Sequence, residues 1–286
     1  MTLARPVGSP PTGPVSLDRA FGRAAIFACA GAIAALNAHA DQIIASLRDF
    51  SVAVSVTTLC GISAVIWVAM LAVLKIGFEP DHEKIGRRDV LVLMFVATSS
   101  LLPIGYLADF GLLTCALYLY ATSASGTPSN RISVILLALT GPLIWGRLLL
   151  HVFATPILAL DANLVGSLIG SRVDGNIVDF AGQDKTFLIG TPCSSVHNIS
   201  LAIVLWATAA ALFNLRPDSK YVMMGLAMIG WMFAMNIARL VAIGLFPADF
   251  NFLHAGGGAV SFGWAGLIGA GILVAMAVTG AAARQR

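Results

Sequence analysis

Long apolar runs alternate with short polar breaks along the chain. The runs cover about 24–40, 53–74, 89–105, 108–124, 132–150, 196–215, 221–245 and 257–281. Crossing a ~30 Å hydrocarbon core takes about 20 apolar residues as a helix. A lone segment in lipid can satisfy its own backbone polar groups only by being helical. The pattern therefore predicts an all-α polytopic membrane protein of about eight transmembrane helices. A turn near Pro103, Gly105 and Asp109 separates the third run from the fourth, and the second run is uninterrupted. The first run ends in Ala38-His39-Ala40, which resembles a signal-peptidase site. A signal peptide and a first span cross the membrane in the same direction, so the downstream topology is the same for both.

The stretch 151–195 is the longest break. From Pro156 to Gly170 its apolar residues fall at helical spacing, as in a helix lying along a membrane surface. Asn176–Phe180, then Gly182-Gln183-Asp184, then Thr186–Ile189 read as strand, turn and strand. This is a short outer β-hairpin-like segment before the sixth span, and it leads into Thr191-Pro192-Cys193. Residues 1–20 are rich in Pro, Gly and Ser and read as a disordered cytoplasmic N-terminus. Residues 21–286 read as a single transmembrane domain. No internal repeat is visible, which speaks against an inverted-repeat transporter.

Composition supports the lipid setting. The chain is 58% hydrophobic and 11% charged, against roughly a quarter charged in soluble domains. The lipid bilayer is thus an obligatory partner. Net charge is only +3 and the basic residues are scattered, so no nucleic-acid stripe exists. Their sidedness is informative. With the N-terminus in the cytoplasm, the inner side receives Arg5, Arg19, Arg23, Lys75, Lys84, Arg87, Arg88, Arg131, Arg216, Lys220, Arg284 and Arg286. The outer side receives Arg48, Arg172 and Lys185. The positive-inside rule then places both termini in the cytoplasm and the long loop outside.

Cys29, Cys60 and Cys115 lie in apolar runs and read as small hydrophobes. No CxxC or Cys/His spacing points to a metal. HExxH, paired glycosidase carboxylates and phosphate loops are missing too. No cofactor is implied. Cys193 differs, because it follows a proline, precedes two serines and sits where a helix begins. Free amides and the positive dipole end there would favour a thiolate, while Ser194 or Ser195 supplies a cap.

Arg239 interrupts the apolar run from Trp231 to Phe246. Arginine near the centre of a span costs roughly 2.5–3.5 kcal/mol, so one kept there is a functional-site candidate. The plainer reading is a side chain that snorkels outward as an anchor. Asn236, three residues earlier, shares its helix face and can orient the guanidinium or bond between helices. His254 lies just before the eighth run, followed by Ala255-Gly256-Gly257-Gly258, which permits close approach of backbone and ligand. An imidazole near a thiol can act first as base and then as acid. His197, four residues after Cys193, is a competing base on the same helix face. Arg147 and His151 form another i, i+4 pair at the outer end of the fifth run. They can contact an anionic substrate group or anchor the helix at the headgroups.

Three motifs in order are Cys193-Ser194-Ser195, Asn236-Ile237-Ala238-Arg239, and His254 with Gly258 four residues on. With the lead-in through Gly170, this pattern over 131–280 resembles the exosortase/archaeosortase family of membrane-embedded cysteine transpeptidase-like enzymes. The resemblance implies a catalytic Cys193, Arg239 and His254, with 131–280 as the catalytic core. It implies secreted-protein substrates carrying a C-terminal motif such as Pro-Glu-Pro, a transmembrane helix and a basic cluster. The enzyme would cleave near the motif at the outer face of the cell membrane and pass the protein to a surface acceptor. The chain has Ser195 where the family often has glycine, and His197 is an extra histidine. Two other classes remain alongside it. A transporter or channel-like protein would line a polar path with Arg239 and Arg147 and would not need Cys193. A membrane acyltransferase would use His254 without Cys193.

Overall fold

The computed structural model describes residues 22–284 apart from 82, 103–105 and 216–217. The expected disordered segment 1–20 and the turn residues Pro103 and Gly105 lie outside the described residues. So do Arg5, Arg19, Arg216 and Arg286 of the charge pattern.

Among the described residues, twelve α-helices and one small sheet form the fold. Helix α1 (Arg23–Asn37) meets α2 (Ala40–Asp49) at a 52° bend. Helices α3 (Val52–Thr57), α4 (Ala64–Gly77), α5 (Arg87–Leu101) and α6 (Leu107–Thr122) follow. Then come α7 (Pro128–Thr140), α8 (Gly146–Ile169), α9 (Ser195–Leu212), α10 (Ser219–Leu245), α11 (Phe250–His254) and α12 (Gly257–Arg284). Four helical segments are long and apolar enough to cross a membrane: 128–169, α9, α10 and α12. The bent α1–α2 pair makes a fifth if it counts as one span. This is compatible with a multi-pass membrane protein. Helices α4 and α6 are apolar but shorter. The 14 residues of α4 rise only about 21 Å at ~1.5 Å each.

Two expected runs take a different form. The run 53–74 is not one helix. It breaks at Leu59–Gly61, where Leu59, Cys60 and Gly61 all have positive φ, at 53°, 55° and 74°. Ser51 and Ser63 each cap a separate helix by accepting the amides of Val54 and Val65. Two strong start signals thus override an uninterrupted apolar pattern. The fifth run, in contrast, does not stop at 150. A π-turn at Gly141–Trp145 joins α7 to α8, and the helix continues to Ile169. Pro156 does not end it. The helix bends instead at Phe153 (φ −119°, ψ 25°), because proline lacks an amide and crowds the preceding turn. Gly170 closes α8 in the left-handed region, at φ 69°.

Three short strands follow: β1 (Val173–Asp174), β2 (Ile177–Asp179) and β3 (Thr186–Leu188). They pair antiparallel in the order β1-β2-β3, with Val178 opposite both Val173 and Phe187. The sheet is tied to the end of α10 by the amide of Ala181, which donates to the Gly244 carbonyl at 3.0 Å.

Three apolar cores are present among the described residues, the smallest joining Ala202 and Trp206 of α9 to Met228 and Met232 of α10 and Ala270 of α12. The largest gathers Phe27, Ile76, Leu112, Leu119, Ile135 and Leu139 from α1, α4, α6 and α7. The second gathers Leu158, Val165, Val178, Phe187 and Leu240 from α8, the sheet and α10, with Ile189 just after β3, and it includes Cys193. The bundle end that carries the N-terminus of α1 is held by ion pairs. Arg23 bonds Asp89 and Glu83 at 2.9 Å each, and Arg131 pairs with Glu79 at 2.5 Å.

Candidate active site

The nucleophile candidate is placed by a tight turn. Thr191–Cys193 form one 3₁₀ turn, with the Cys193 amide donating to Gly190 O at 2.9 Å. Helix α9 starts only afterwards, with Ser194 as N-cap accepting from the Val196 amide. Cys193 therefore precedes the helix, and the face-sharing expected between Cys193 and His197 does not apply. Cys193 is buried at 7% exposure.

His254 ends α11 and brings Nδ1 to 3.9 Å from Cys193 Sγ, across 61 residues of sequence. An aromatic chain sets its ring. Phe250 stacks on His254 at 5.1 Å and 12°, and meets Phe180 edge-on at 6.2 Å. Phe180 packs on Phe187 of β3 at 4.9 Å. Each such pair contributes about 0.5–1.5 kcal/mol beyond its buried area, so the sheet helps to orient the imidazole. The glycines after His254 serve packing. A Cβ at Gly256 would lie 2.9 Å from Phe252 Cα, so only glycine lets α12 begin this close to α11.

Asn236 links the parts. It is 4% exposed on α10. Its Nδ2 donates to the Cys193 carbonyl at 2.9 Å and to Ser195 Oγ at 3.3 Å. Its Oδ1 accepts from Arg239 Nη2 at 3.4 Å. Arg239, one helical turn on and half-buried, has a buried Nε without a partner among the described residues. A buried donor left unmade costs about 1–3 kcal/mol, so this guanidinium holds hydrogen-bonding capacity in reserve.

The amides around Cys193 have none in reserve. Cys193 N goes to Gly190 O, Ser194 N to Thr191 O and His197 N to Ser194 O. Val196 N goes to Ser194 Oγ, and Ser195 N donates to Asp161 Oδ2 at 2.9 Å. The free helix-end amides expected to favour a thiolate are thus occupied.

Other sequence candidates gather elsewhere. Arg147, with 45% of its side chain exposed, lies 3.7 Å from Asp109 Oδ2. Arg147, Asp109, His151 and His197 line a cavity of about 1310 Å³ that also reaches Thr191 and Pro192. Neither Cys193 nor Arg239 is among its lining residues. Three buried carboxylates have no place in the site expected from sequence: Asp89 at 5% exposure, Asp109 at 4%, which lies in α6 rather than in the expected turn, and Asp161 at 2%. The signal was available: Asp161 interrupts the apolar stretch from Leu158 to Val165, as Arg239 interrupts its own. Among the described residues, no group of three or more His, Cys, Asp or Glu side chains could hold a metal ion.

No family model, curated protein or solved structure matches the chain.

Proposed function

We propose that the chain is a membrane-embedded cysteine peptidase or transpeptidase of the exosortase/archaeosortase kind. It cleaves the C-terminal sorting signal of secreted proteins at the outer face of the cell membrane and passes them to a surface acceptor. The observation that carries this reading is the 3.9 Å approach of Cys193 Sγ and His254 Nδ1. Arg239 supports it from the same cluster through Asn236.

In this reading eight segments cross the bilayer: α1, α4, α5, α6, the α7–α8 rod, α9, α10 and α12. Both termini face the cytoplasm. Part of the rod beyond the Phe153 bend lies along the outer surface, because its 42 residues rise about 63 Å at ~1.5 Å each. Cys193 then sits at the outer boundary.

His254 accepts the thiol proton as Cys193 sulfur attacks the peptide carbonyl. The tetrahedral intermediate carries its negative charge on the former carbonyl oxygen. Arg239 donates to that oxygen, and its buried Nε, without a partner among the described residues, supports the assignment. The neighbouring amides are committed elsewhere, so the guanidinium takes the role that backbone amides often fill. Collapse breaks the C–N bond, and His254 returns its proton to the leaving amine. A thioester remains on Cys193, and an incoming amine, hydroxyl or water resolves it. Arg147 and His197 face the neighbouring cavity, where they can hold an acidic group of the substrate or the acceptor.

The test is co-expression with a tail-bearing substrate, followed by gel and mass spectrometry. Wild type should cleave, while Cys193→Ala, Arg239→Ala and His254→Ala should not. Cleavage that survives Cys193→Ala removes the nucleophile and turns the reading toward the acyltransferase. The cavity favours transport as a second reading, with a solute path past Arg147. That reading requires a flux that depends on Arg147 and persists in Cys193→Ala.

A further inference from the structure

Asp161 is the least explained polar group near the nucleophile. It lies on α8 at 2% exposure, and no Lys, Arg or His forms an ion pair with it among the described residues. Its hydrogen-bond partner there is the Ser195 amide, at 2.9 Å. Burying a carboxylate without a cation is costly, and starting α9 does not require it. Ser194 already caps that helix through the Val196 amide. What Asp161 adds is a tether between α8 and the residue two beyond Cys193.

Ser195 is held from the other side as well. Asn236 of α10 donates to Ser195 Oγ and to the Cys193 carbonyl. The main chain at the nucleophile is therefore gripped between α8 and α10, while Cys193 Sγ faces His254 on α11.

We propose that Asp161 is a positioning residue that locks the Cys193–Ser195 turn by accepting the Ser195 amide. This rests on the reading of Cys193 as the nucleophile. The role needs an acceptor oxygen at that place, not a negative charge. Asparagine can supply such an oxygen, and alanine cannot.

The test is the rate at which iodoacetamide alkylates Cys193 in the full-length protein in detergent, followed by mass spectrometry of the Cys193 peptide. It needs no substrate, so it stays informative if tail cleavage is never found. Asp161→Ala frees the turn and should raise the rate about tenfold, the equivalent of one lost hydrogen bond. Asp161→Asn should stay within about twofold of wild type, because its amide oxygen can restore that bond. Should the alanine variant not survive extraction, Asp161→Ser is too short to reach Ser195 and carries the same expectation. Alkylation of the alanine or serine variant at the wild-type rate overturns the proposal. Equal rates for the asparagine and alanine variants overturn it as well.

Discussion

Two arginines, one at each end of the bundle, are embedded in opposite ways. Arg23 is 5% exposed and nearly every donor is used. Asp89, Glu83, Ser123 and Thr122 all accept from it, and the rings of Phe27 and Tyr118 flank it at 5.5 and 5.7 Å. Arg239 has a single bond, at 3.4 Å, and a buried Nε with no partner among the described residues. A cation saturated by its surroundings is part of the scaffold. One kept buried and under-bonded has capacity for something that arrives. The same residue type thus closes an ion cluster at one end and keeps an unused donor at the other.

The largest expected effect breaks the saturated end. Arg23→Ala leaves Asp89 and Glu83 without their cation and should cost about 3–5 kcal/mol of stability. Thermal aggregation in detergent measures it. Iodoacetamide labelling of Cys193 in the surviving folded fraction should stay at the wild-type rate. Arg239→Ala should behave in reverse. It should lower tail cleavage by about 10²–10³-fold, the range for removing one oxyanion donor. Its melting should hardly change, since only one long bond is lost. Equal destabilisation by the two alanine variants would dissolve the contrast.

Asn236→Ala sits between the two, because it strips the Cys193 carbonyl of its donor and frees Arg239. It should cost about 1–3 kcal/mol in stability and slow cleavage as well. The gentlest probe is Phe250→Leu, which removes the ring stacked on His254. Cleavage should fall by about 2–10-fold, in line with ~0.5–1.5 kcal/mol for an aromatic pair. Unchanged cleavage would mean that the imidazole is held by other contacts.

Much of this was readable from residue pattern alone. The helical class follows from the apolar runs. Arg239 was conspicuous because a guanidinium in an apolar run is expensive, and Cys193 because Pro192 and two serines set it apart. Asp161 meets the same criterion as Arg239, but spacing alone does not show that its face of α8 is buried with Leu158, Ala162 and Val165. The break at Leu59–Gly61 was missed because an apolar run carries no mark for left-handed backbone. Continuity of 128–169 was missed for the converse reason: Pro156 looks like a stop, yet packing of Leu158, Ala162 and Val165 keeps the helix going. The positive-inside pattern places Arg23 and Arg131 on the inner side and is silent on their partners. Both are in fact neutralised by carboxylates distant in sequence.

The full commitment of the amides from Cys193 to His197 bears on inhibitor chemistry. Aldehydes and boronic acids bind many thiol and serine hydrolases because a pair of main-chain donors receives the new oxyanion. In the proposed mechanism such a warhead would meet a single guanidinium, that of Arg239 on α10. Electrophiles that alkylate sulfur without generating an oxyanion, such as chloroacetamides, would forfeit nothing. A screen against this chain should therefore begin with alkylating fragments and reward those that place a carboxylate toward Arg239.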